Sequence, residues 1–369
     1  MKIVEILFYL AYGGAERFVV DLSNELARKG HDVTILTLKD DSIDPETRKF
    51  YYGDVADGVK YINLGLSDSK NPVVLLKVYK AIKKLNPDVV HLHLTNTPLW
   101  CLYALMRLHK KVKFVETIHN SIKTNYDSFI RRVLFSTIGK WKWMQFACLS
   151  QTNFDEMQAM HPDCKAVKIV NGRAPQKTTS KLVEVREEMN KLRSAANSLL
   201  LLNIARCNKQ KNHKRLVQAV NELNDEGVHV DVVIIGGGYD DTELGHELKA
   251  MASEHIHFLG TRKNIADYLV SVDAFCLSSD HEGMPITLIE AFLCGTPTVS
   301  TPVCGCIDAI KDGFNGILAK DFSVEEYKAA IRRFIESRYV IKQNLDKGKG
   351  ESEFLISVCA EKYIELFKR

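Results

Sequence analysis

A strand, a polar loop and the start of a helix can be recognised in residues 273–291, DAFCLSSDHEGMPITLIEA. Residues 273–278 are a short, mainly apolar run, and Pro285 stands where it favours the first turn of a helix. The first backbone N–H groups of such a helix, in residues 286–288, have no intrahelical partner and suit a diphosphate. The stretch therefore predicts a strand-to-helix connection of a parallel α/β sheet, with an anion site at its carboxyl edge.

The same alternation of apolar runs and amphipathic stretches extends through the chain. KIVEILF, DVTILTL, DVVHLHL and KFVETIH stand in the first half, and SLLLLNIA, VDVVIIGGG, HIHFLG and TPTVST in the second. This pattern predicts an α/β protein with two doubly wound, Rossmann-like parallel-sheet domains that face each other across a cleft. The predicted divisions are an N-terminal domain 1–171, a polar linker 172–197, a C-terminal domain 198–350, and a terminal helix 351–369 that packs back toward the N-terminal domain.

Composition and charge restrict the class of protein. The 369 residues are 46% hydrophobic and 26% charged, which is typical of a globular chain of about two domains. There is no apolar run of the ~18 residues that a bilayer span needs, and the nine scattered cysteines suit a reducing cytoplasm. Residues 1–170 hold 24 Lys and Arg against 18 Asp and Glu, net +6, whereas the remainder is net −2. No nucleic-acid motif accompanies this basic half, so we expect no nucleic-acid partner.

Two glutamates flank the predicted helix start. A carboxylate beside phosphate would repel it, so Glu282 must contact neutral groups, and sugar hydroxyls are suitable donors. Glu290, two turns farther along, can accept from the hydroxyls of a ribose by the same reasoning. Residues 282–290 resemble the E-x7-E motif of the group 1 family of retaining GT-B glycosyltransferases. The resemblance implies that Glu282 contacts the transferred sugar and Glu290 the ribose of the nucleotide.

A second part of the resemblance lies in residues 205–213, ARCNKQKNH, which follow the run LLLLNIA. Arg206 and Lys211 stand at the carboxyl end of a predicted strand, where two cations can neutralise a diphosphate. The segment is similar to the family pattern G-R-L-x-x-x-K, although Ala205 and Cys207 replace its Gly and Leu. The resemblance implies that Arg206 and Lys211 hold the donor phosphates.

The first half of the chain offers two further candidates. Gly13 and Gly14, after the first strand, are similar to the GGxE turn of the family, although a tight turn explains them equally well. His119 ends the run KFVETIH, where the family places a histidine against the donor sugar, and a neutral histidine can donate to a sugar hydroxyl. His91 and His93 are predicted to line the acceptor side or the core.

These motifs together predict a metal-independent, retaining glycosyltransferase. The sequence has no D-x-D to hold a divalent metal and no G-x-G-x-x-G of dinucleotide enzymes, so we expect neither a metal nor another cofactor. The expected substrates are a nucleoside diphosphate sugar, with UDP favoured, and a carbohydrate or polyprenyl-linked acceptor of bacterial surface polysaccharide synthesis. The alternatives are a sugar-nucleotide epimerase, a non-catalytic binding module, and a phosphorylase or synthase with a soluble acceptor. The residues predicted to be catalytic are His119, Arg206, Lys211 and Glu282, and those predicted to bind the donor are Gly13, Gly14, Gly283, Met284, Pro285, Ile286, Thr287, Leu288 and Glu290.

Residues 127–144 combine aromatic and aliphatic side chains with four basic ones. Tryptophans beside cations suit the surface of an anionic membrane. An ordinary amphipathic helix with a basic outer face explains the same pattern equally well. The expected location is the cytoplasm, or the inner face of the cytoplasmic membrane if this segment binds lipid.

Overall fold

The computed structural model describes residues 1–67, 72–94, 96–120, 122, 129–348 and 353–368. The chain forms two compact units. Unit 1 comprises Met1–Ala174 together with Glu353–Arg369, and unit 2 comprises Pro175–Ser352. Each unit contains one parallel β-sheet, which confirms the predicted pair of parallel-sheet α/β domains.

The sheet of unit 1 has seven strands in the order β3-β2-β1-β4-β5-β6-β7. All neighbouring strands are parallel, and the order reverses between β1 and β4. The strands are β1 Lys2–Leu7, β2 Asp32–Lys39, β3 Val59–Leu66, β4 Val89–His93, β5 Lys113–Ile118, β6 Gln145–Cys148 and β7 Lys165–Lys168.

Helices follow most of these strands, and apolar side chains from both kinds of element form the core of the unit. A 3₁₀-helix, Tyr52–Asp54, precedes β3. The α-helices of unit 1 are Gly14–Arg28, Pro45–Arg48, Val73–Leu85, Thr97–Trp100, Leu102–Leu108, Phe129–Lys140, Gln151–Met160 and Ile356–Lys368.

The sheet of unit 2 has six parallel strands in the order β10-β9-β8-β11-β12-β13, and its order reverses between β8 and β11. The strands are β8 Leu199–Ile204, β9 Val230–Ile235, β10 Ile256–Gly260, β11 Ala274–Leu277, β12 Thr298–Ser300 and β13 Gly316–Leu318. The helices are Leu182–Lys191, the 3₁₀-helix Lys209–Lys211, His213–Asp225, Glu243–Met251, Ile265–Leu269, Ile286–Leu293, Cys304–Ala309 and Val324–Gly348.

The segment predicted as a linker contains a helix. Residues 175–197 belong to unit 2, and they include the helix Leu182–Lys191. This helix buries only Val185 and Met189, so its sequence is mainly polar and lacks the apolar runs that mark the other helices. Its polar composition therefore made it look like a connection.

The terminal helix Ile356–Lys368 packs against the helix Gly14–Arg28 within unit 1. Lys29 forms an ion pair with Glu361 at this contact. Arg173 forms an ion pair with the buried Asp21, and its backbone pairs with that of the residues before the terminal helix. The chain thus returns to unit 1 after completing unit 2. Within the described residues, no helix is both long and apolar enough to cross a bilayer.

Candidate active site

The loops after β8 and β11 carry three of the four residues predicted to be catalytic. β8 and β11 are neighbours at the point where the strand order of the second sheet reverses. Open α/β sheets bind ligands outside the carboxyl ends of the strands at such a reversal. Arg206 and Lys211 follow β8, and Glu282 follows β11. Arg206 is exposed, whereas Glu282 is buried.

Lys211 and Glu282 are in direct contact. Oε1 of Glu282 accepts a hydrogen bond from Nζ of Lys211 at 2.5 Å and another from Oγ of Ser279 at 2.8 Å. The Glu282 side chain is 9% exposed and that of Lys211 is 21% exposed. The ion pair is therefore mostly buried but still open to solvent on the lysine side.

Hydrogen bonds between the two loops hold this pair in place. Nε2 of Gln210 donates to the carbonyl oxygen of His281 at 2.7 Å, and the N–H of Asp280 donates to the carbonyl oxygen of Gln210 at 2.9 Å. Oγ of Ser278 donates to the carbonyl oxygen of Lys211 at 2.9 Å. The backbone on both sides of the ion pair is thus held by hydrogen bonds between the two loops.

Asparagines shape the loop that carries Lys211. The side chain of Asn208 accepts from the N–H of Lys211 at 3.1 Å and begins the 3₁₀-helix Lys209–Lys211. Asn212 follows with φ of 42°, and its side chain accepts from the N–H of Arg215 at 3.3 Å. Asparagine tolerates this left-handed conformation better than most residues and is a favoured N-cap. Two short turns therefore direct the Lys211 side chain toward Glu282.

The helix predicted after Pro285 spans Ile286–Leu293, with Pro285 as its N-cap. No side chain in the described part of the chain caps this end. Thr287 in its first turn is partly exposed, so the helix N-terminus can receive an anionic group. Glu290 lies on the same helix and is 7% exposed.

Gly283 and Met284, in the loop between Glu282 and the helix, are buried. They lie against the start of the helix Cys304–Ala309. A Cβ on Gly305 would lie 2.1 Å from the carbonyl oxygen of Gly283, so only glycine permits this approach. The loop that carries Glu282 therefore packs closely against the start of a second helix.

Gly13, Gly14 and His119 belong to unit 1. The helix Gly14–Arg28 follows β1 and begins with Gly13 as its N-cap, without a capping side chain among the described residues. His119 directly follows β5 and is partly exposed. The ring of Phe18, on the helix, lies 5.8 Å from the ring of His119. The structure thus places these predicted residues at the carboxyl ends of β1 and β5, on either side of β4.

A buried polar cluster lies next to His119, and the sequence analysis predicted only that two of its members, His91 and His93, line the acceptor side or the core. Glu5 on β1 and His91 and His93 on β4 are fully buried. Oε2 of Glu5 lies 2.6 Å from Nε2 of His93 and 2.8 Å from Nδ1 of His91, although the second contact lacks the alignment of a hydrogen bond. Nδ1 of His93 lies 3.0 Å from Nε2 of His119.

The cluster shifts the pKa values of its members. Burial raises the pKa of Glu5, but the attraction and close polar contacts of His91 and His93 outweigh burial and lower it to about 2. Burial, helped by the nearby His91, lowers the pKa of His93 to about 4. Burial likewise holds the pKa of His119 well below its ordinary 6.5. At neutral pH the cluster therefore contains an ionised carboxylate, and His93 and His119 are neutral.

Glu5, His91 and His93 have donor atoms of the kinds that transition metals accept. However, the 2.6 Å between Glu5 and His93 is the length of a direct, charge-assisted hydrogen bond. The cluster continues into the protein as hydrogen bonds, because Nε2 of His91 lies 2.7 Å from Oγ1 of Thr117, which lies 2.7 Å from the hydroxyl of Tyr363. We therefore interpret the cluster as a hydrogen-bonded network.

Two features of the sequence could have indicated this network. Glu5 is an ionisable residue within the apolar run of the first strand. His91 and His93 are separated by one residue in a strand, so their side chains share a face of the sheet. Glu5 is the register partner of His91, and His93 that of Thr117. The strand register that brings these side chains together could be determined only from the structure.

The segment 127–144 is an amphipathic helix followed by a turn. Asp127 and Ser128 lie outside the described residues, and the helix spans Phe129–Lys140. Phe135 and Ile138 are buried in the core of unit 1, as is Met144 after the turn. The outer face, by contrast, combines apolar and basic side chains, and it consists of Arg132, Val133, Lys140, Trp141 and Lys142.

Comparison with known proteins matches both units to one class of enzyme. Residues 184–349 match the model of Glycosyl transferases group 1, and residues 12–172 match that of Glycosyltransferase Family 4. The first range contains Arg206, Lys211, Glu282 and Glu290. The second contains Gly13, Gly14 and His119.

Relatives of similar length support this match. The N,N'-diacetylbacillosaminyl-diphospho-undecaprenol alpha-1,3-N-acetylgalactosaminyltransferase of Campylobacter jejuni is 26% identical, over 82% of this chain and 83% of the relative. The UDP-Gal:alpha-D-GlcNAc-diphosphoundecaprenol alpha-1,3-galactosyltransferase of Escherichia coli is 23% identical, over 92% and 89%. The crystal structure of Anabaena HepE in complex with UDP and glucose has the same fold, with a TM-score of 0.79 at 16% identity over 100% of this chain and 99% of HepE. The chain therefore belongs to the group 1 family of GT-B glycosyltransferases.

Proposed function

We propose that the protein transfers a sugar from a nucleoside diphosphate to a carbohydrate or lipid-linked acceptor, with retention of anomeric configuration, in the synthesis of a bacterial surface polysaccharide. The observation that carries the proposal is the Lys211–Glu282 ion pair, directly before the uncapped start of the helix Ile286–Leu293. A lysine and a helix N-terminus bind phosphate, and a carboxylate binds sugar hydroxyls. One site therefore offers groups that can bind both the diphosphate and the sugar of the donor.

The donor is best explained as a UDP-sugar. The Escherichia coli relative is named for UDP-Gal, and HepE was crystallised with UDP. In the proposed complex, Lys211, Arg206 and the first-turn N–H groups of the helix hold the diphosphate. Glu282 accepts from hydroxyls of the sugar and Glu290 from those of the ribose. Because Lys211 donates a hydrogen bond to Glu282, the diphosphate must compete with that carboxylate for the lysine.

The proposed reaction is a substitution on one face of the sugar. The acceptor oxygen forms a bond to the anomeric carbon while the bond from that carbon to the phosphate oxygen breaks. The departing phosphate oxygen takes the proton of the acceptor hydroxyl. Lys211, Arg206 and the helix N-terminus stabilise the negative charge that grows on the diphosphate, as preorganised donors do in other active sites. His119 contacts a hydroxyl of the donor sugar.

The proposed reaction needs no metal ion. Its support is that protein cations and backbone donors already supply positive charge for the diphosphate, and that the sequence has no D-x-D. We expect donor binding and transfer to be unchanged by a chelator. Loss of both with the chelator and their recovery with magnesium would contradict this part of the proposal.

The function is tested by a donor screen followed by a transfer assay. UDP- and GDP-sugars are screened by thermal shift, since a ligand at 100 times its dissociation constant stabilises by about 2.7 kcal/mol. The stabilising donor is then incubated with synthetic sugar-diphospho-undecaprenol acceptors, and the product linkage is determined by NMR. We expect transfer with the anomeric configuration of the donor. A converted sugar nucleotide without acceptor would indicate an epimerase, and binding without any transfer would indicate a binding module.

We also propose that the outer face of residues 132–142 contacts an anionic membrane surface, at the inner face of the cytoplasmic membrane. Trp141 is 56% exposed and Val133 is 50% exposed, and Lys140 and Lys142 flank Trp141. Such a face binds through apolar area and attraction to anionic lipid. Both relatives described above are named for acceptors that contain undecaprenol.

Vesicle sedimentation tests this contact. Binding is expected to rise with phosphatidylglycerol content and to fall with salt. Trp141→Ser is expected to weaken it, whereas Ile43→Ser, at a 72% exposed position of the same unit, serves as the control. Equal sedimentation with neutral and anionic vesicles would contradict the proposal.

A further inference from the structure

A continuous series of hydrogen-bonding side chains runs from Glu5 to His119. The three residues stand on neighbouring elements, since β1 carries Glu5, β4 carries His93, and His119 follows β5. Glu5 and His93 are fully buried, whereas His119 is partly exposed. The ring of Phe18 packs against both histidines, at 6.1 Å from His93 and 5.8 Å from His119. The series therefore leads from the interior of the sheet to its carboxyl edge.

The position of each proton in the series follows from the chemistry of its first member. An ionised carboxylate only accepts hydrogen bonds. The 2.6 Å between Oε2 of Glu5 and Nε2 of His93 therefore requires a proton on that nitrogen. Burial with His91 nearby lowers the pKa of His93 to about 4, so His93 carries only this one proton at neutral pH.

Nδ1 of His93 is consequently unprotonated and can only accept a hydrogen bond. It lies 3.0 Å from Nε2 of His119, so Nε2 of His119 must be the donor. Burial holds the pKa of His119 well below 6.5, and its second nitrogen, Nδ1, therefore has no proton. Among the described residues, none forms a hydrogen bond with Nδ1 of His119.

We infer that Glu5 and His93 are positioning residues that fix His119 as its Nε2–H tautomer, so that Nδ1 of His119 presents a lone pair at the edge of the sheet. The ligand class for this nitrogen is a hydroxyl that donates a hydrogen bond. This part rests on the proposed function, in which the hydroxyl belongs to the donor sugar. The inference reverses the donor role that the sequence predicts for His119.

The alternative proton arrangement gives the opposite result. If His93 carried two protons, its Nδ1 would donate to Nε2 of His119, and a neutral His119 would then carry its proton on Nδ1. His119 would in that case donate to the sugar. The tautomer of His119 therefore reports which arrangement the buried cluster holds.

The test is a measurement of that tautomer in the ligand-free protein. Protein labelled with 15N-histidine is studied near pH 7 by long-range 1H–15N correlation, and the His119 signals are identified by their loss in His119→Gln. We expect Nε2 of His119 to resonate as a protonated nitrogen and Nδ1 as an unprotonated one. The reverse assignment, or two protonated nitrogens, would overturn the inference.

Two substitutions of His93 separate its two bonds. The side-chain amide that His93→Gln introduces is the same number of bonds from Cβ as Nε2 of the histidine, so it still reaches Glu5 but offers no acceptor near the place of Nδ1. The amide that His93→Asn introduces corresponds to Nδ1 and still accepts from His119. We expect His119 to lose its single tautomer in His93→Gln and to keep it in His93→Asn.

Unchanged His119 signals in His93→Gln would contradict the role of His93. If either variant fails to fold, as judged by its melting curve, the wild-type measurement decides alone. Because the measurement uses no ligand, it is independent of the transfer assay. A protein that shows the Nε2–H tautomer but no sugar transfer would refute the proposed function and leave the inference standing, and the converse result would refute only the inference.

Discussion

Glu5 in unit 1 and Glu282 in unit 2 are both buried carboxylates held by nitrogen-bearing side chains, yet their surroundings differ. The partners of Glu5 are imidazoles that are themselves fully buried. The partner of Glu282 is Lys211, a flexible cation that is 21% exposed. Hydrogen bonds continue from the first cluster into the protein, whereas the second lies beside an uncapped helix end.

This difference separates a network that keeps its partners from one that can exchange them. Breaking the Glu5 network leaves buried polar groups without partners, which is costly. Breaking the Lys211–Glu282 pair costs less when an anion takes the lysine and a hydroxyl takes the carboxylate. Under the proposed function, the network of unit 1 would orient one side chain, His119, and the Lys211–Glu282 pair of unit 2 would exchange its partners on binding.

The largest effect is expected on stability at low pH, because protonation of His93 disrupts the Glu5 network. The folded pKa of His93, about 4, lies below the ordinary 6.5. Between these values the unfolded state binds more protons, so stability falls as pH falls from about 6.5 to about 4, by roughly 3 kcal/mol at most for this group. We expect urea denaturation at several pH values to show this loss, and His93→Gln to show a flatter dependence.

His213 in unit 2 has the same lowered pKa of about 4, because it too is buried, with Lys211 nearby. It adds acid sensitivity in the same window, so the test compares variant with wild type. An identical pH dependence in His93→Gln and wild type would show that His93 is not held neutral in the fold.

The next largest effect is a loss of turnover when the Lys211–Glu282 pair is broken. In the proposed reaction, Lys211→Ala removes the cation that faces the growing negative charge of the leaving diphosphate. A hydrogen bond to a charged group contributes roughly 1.5–3 kcal/mol, so we expect turnover to fall by roughly one to two orders of magnitude. Arg206→Ala is expected to behave similarly. Steady-state transfer at saturating donor is the measurement.

Lys214→Ala is the matched control for Lys211→Ala. Lys214 lies three residues along the chain and pairs with Glu247, and both side chains are about half exposed. Exposed pairs of this kind contribute little, so neither turnover nor melting temperature should change much. Wild-type turnover in Lys211→Ala would remove Lys211 from the mechanism. A large fall in melting temperature would instead show that the ion pair serves folding.

A smaller effect is expected from Glu290→Gln, which keeps an acceptor for the ribose but loses its charge. The difference between charged and neutral hydrogen bonds predicts a donor dissociation constant raised roughly five- to tenfold. Turnover at saturating donor should change little, because the ribose is remote from the bond that breaks. Glu247→Gln, at an exposed position of the same unit, is the control. A loss of turnover without weaker binding would contradict the ribose role.

Most central strands were predicted from the sequence, and so was the edge strand β10, whereas the edge strands β3 and β7 were not. β1, β4, β8 and β9 are mainly apolar because both faces of these strands are covered. β3 and β7 lie at the edges of the first sheet and carry partly exposed side chains. Their sequences therefore lack the pattern of a buried strand.

The candidate site was predictable only where residue type and loop position suffice. Lys211 and Glu282 were recognised as separate motifs, but their contact joins positions 71 residues apart. The bond between Glu5 and His93 spans 88 residues and depends on strand order and register. A pattern in one stretch of sequence contains neither fact. The sequence therefore identified residues that are proposed to bind a ligand, and the structure identified the side chains that contact them.

The smallest effect is expected at Tyr363 on the terminal helix, where the Glu5 network ends on the side away from His119. Its buried hydroxyl lies 2.7 Å from Oγ1 of Thr117, and burial raises its pKa well above the ordinary value. Tyr363→Phe removes that hydroxyl and keeps the ring packed against Phe18 and Phe367. We expect a loss of roughly 0.5–1.5 kcal/mol, since one buried hydrogen bond between neutral groups is broken. Tyr339→Phe, at a 76% exposed position of unit 2, should change stability by less than about 0.5 kcal/mol. Urea denaturation of both variants is the measurement, and equal changes in the two would show that the Thr117–Tyr363 bond adds nothing to the network. Because Tyr363 is separated from His119 by His91 and Glu5, the His119 tautomer should be unchanged in Tyr363→Phe, which distinguishes a loss of stability from a loss of orientation.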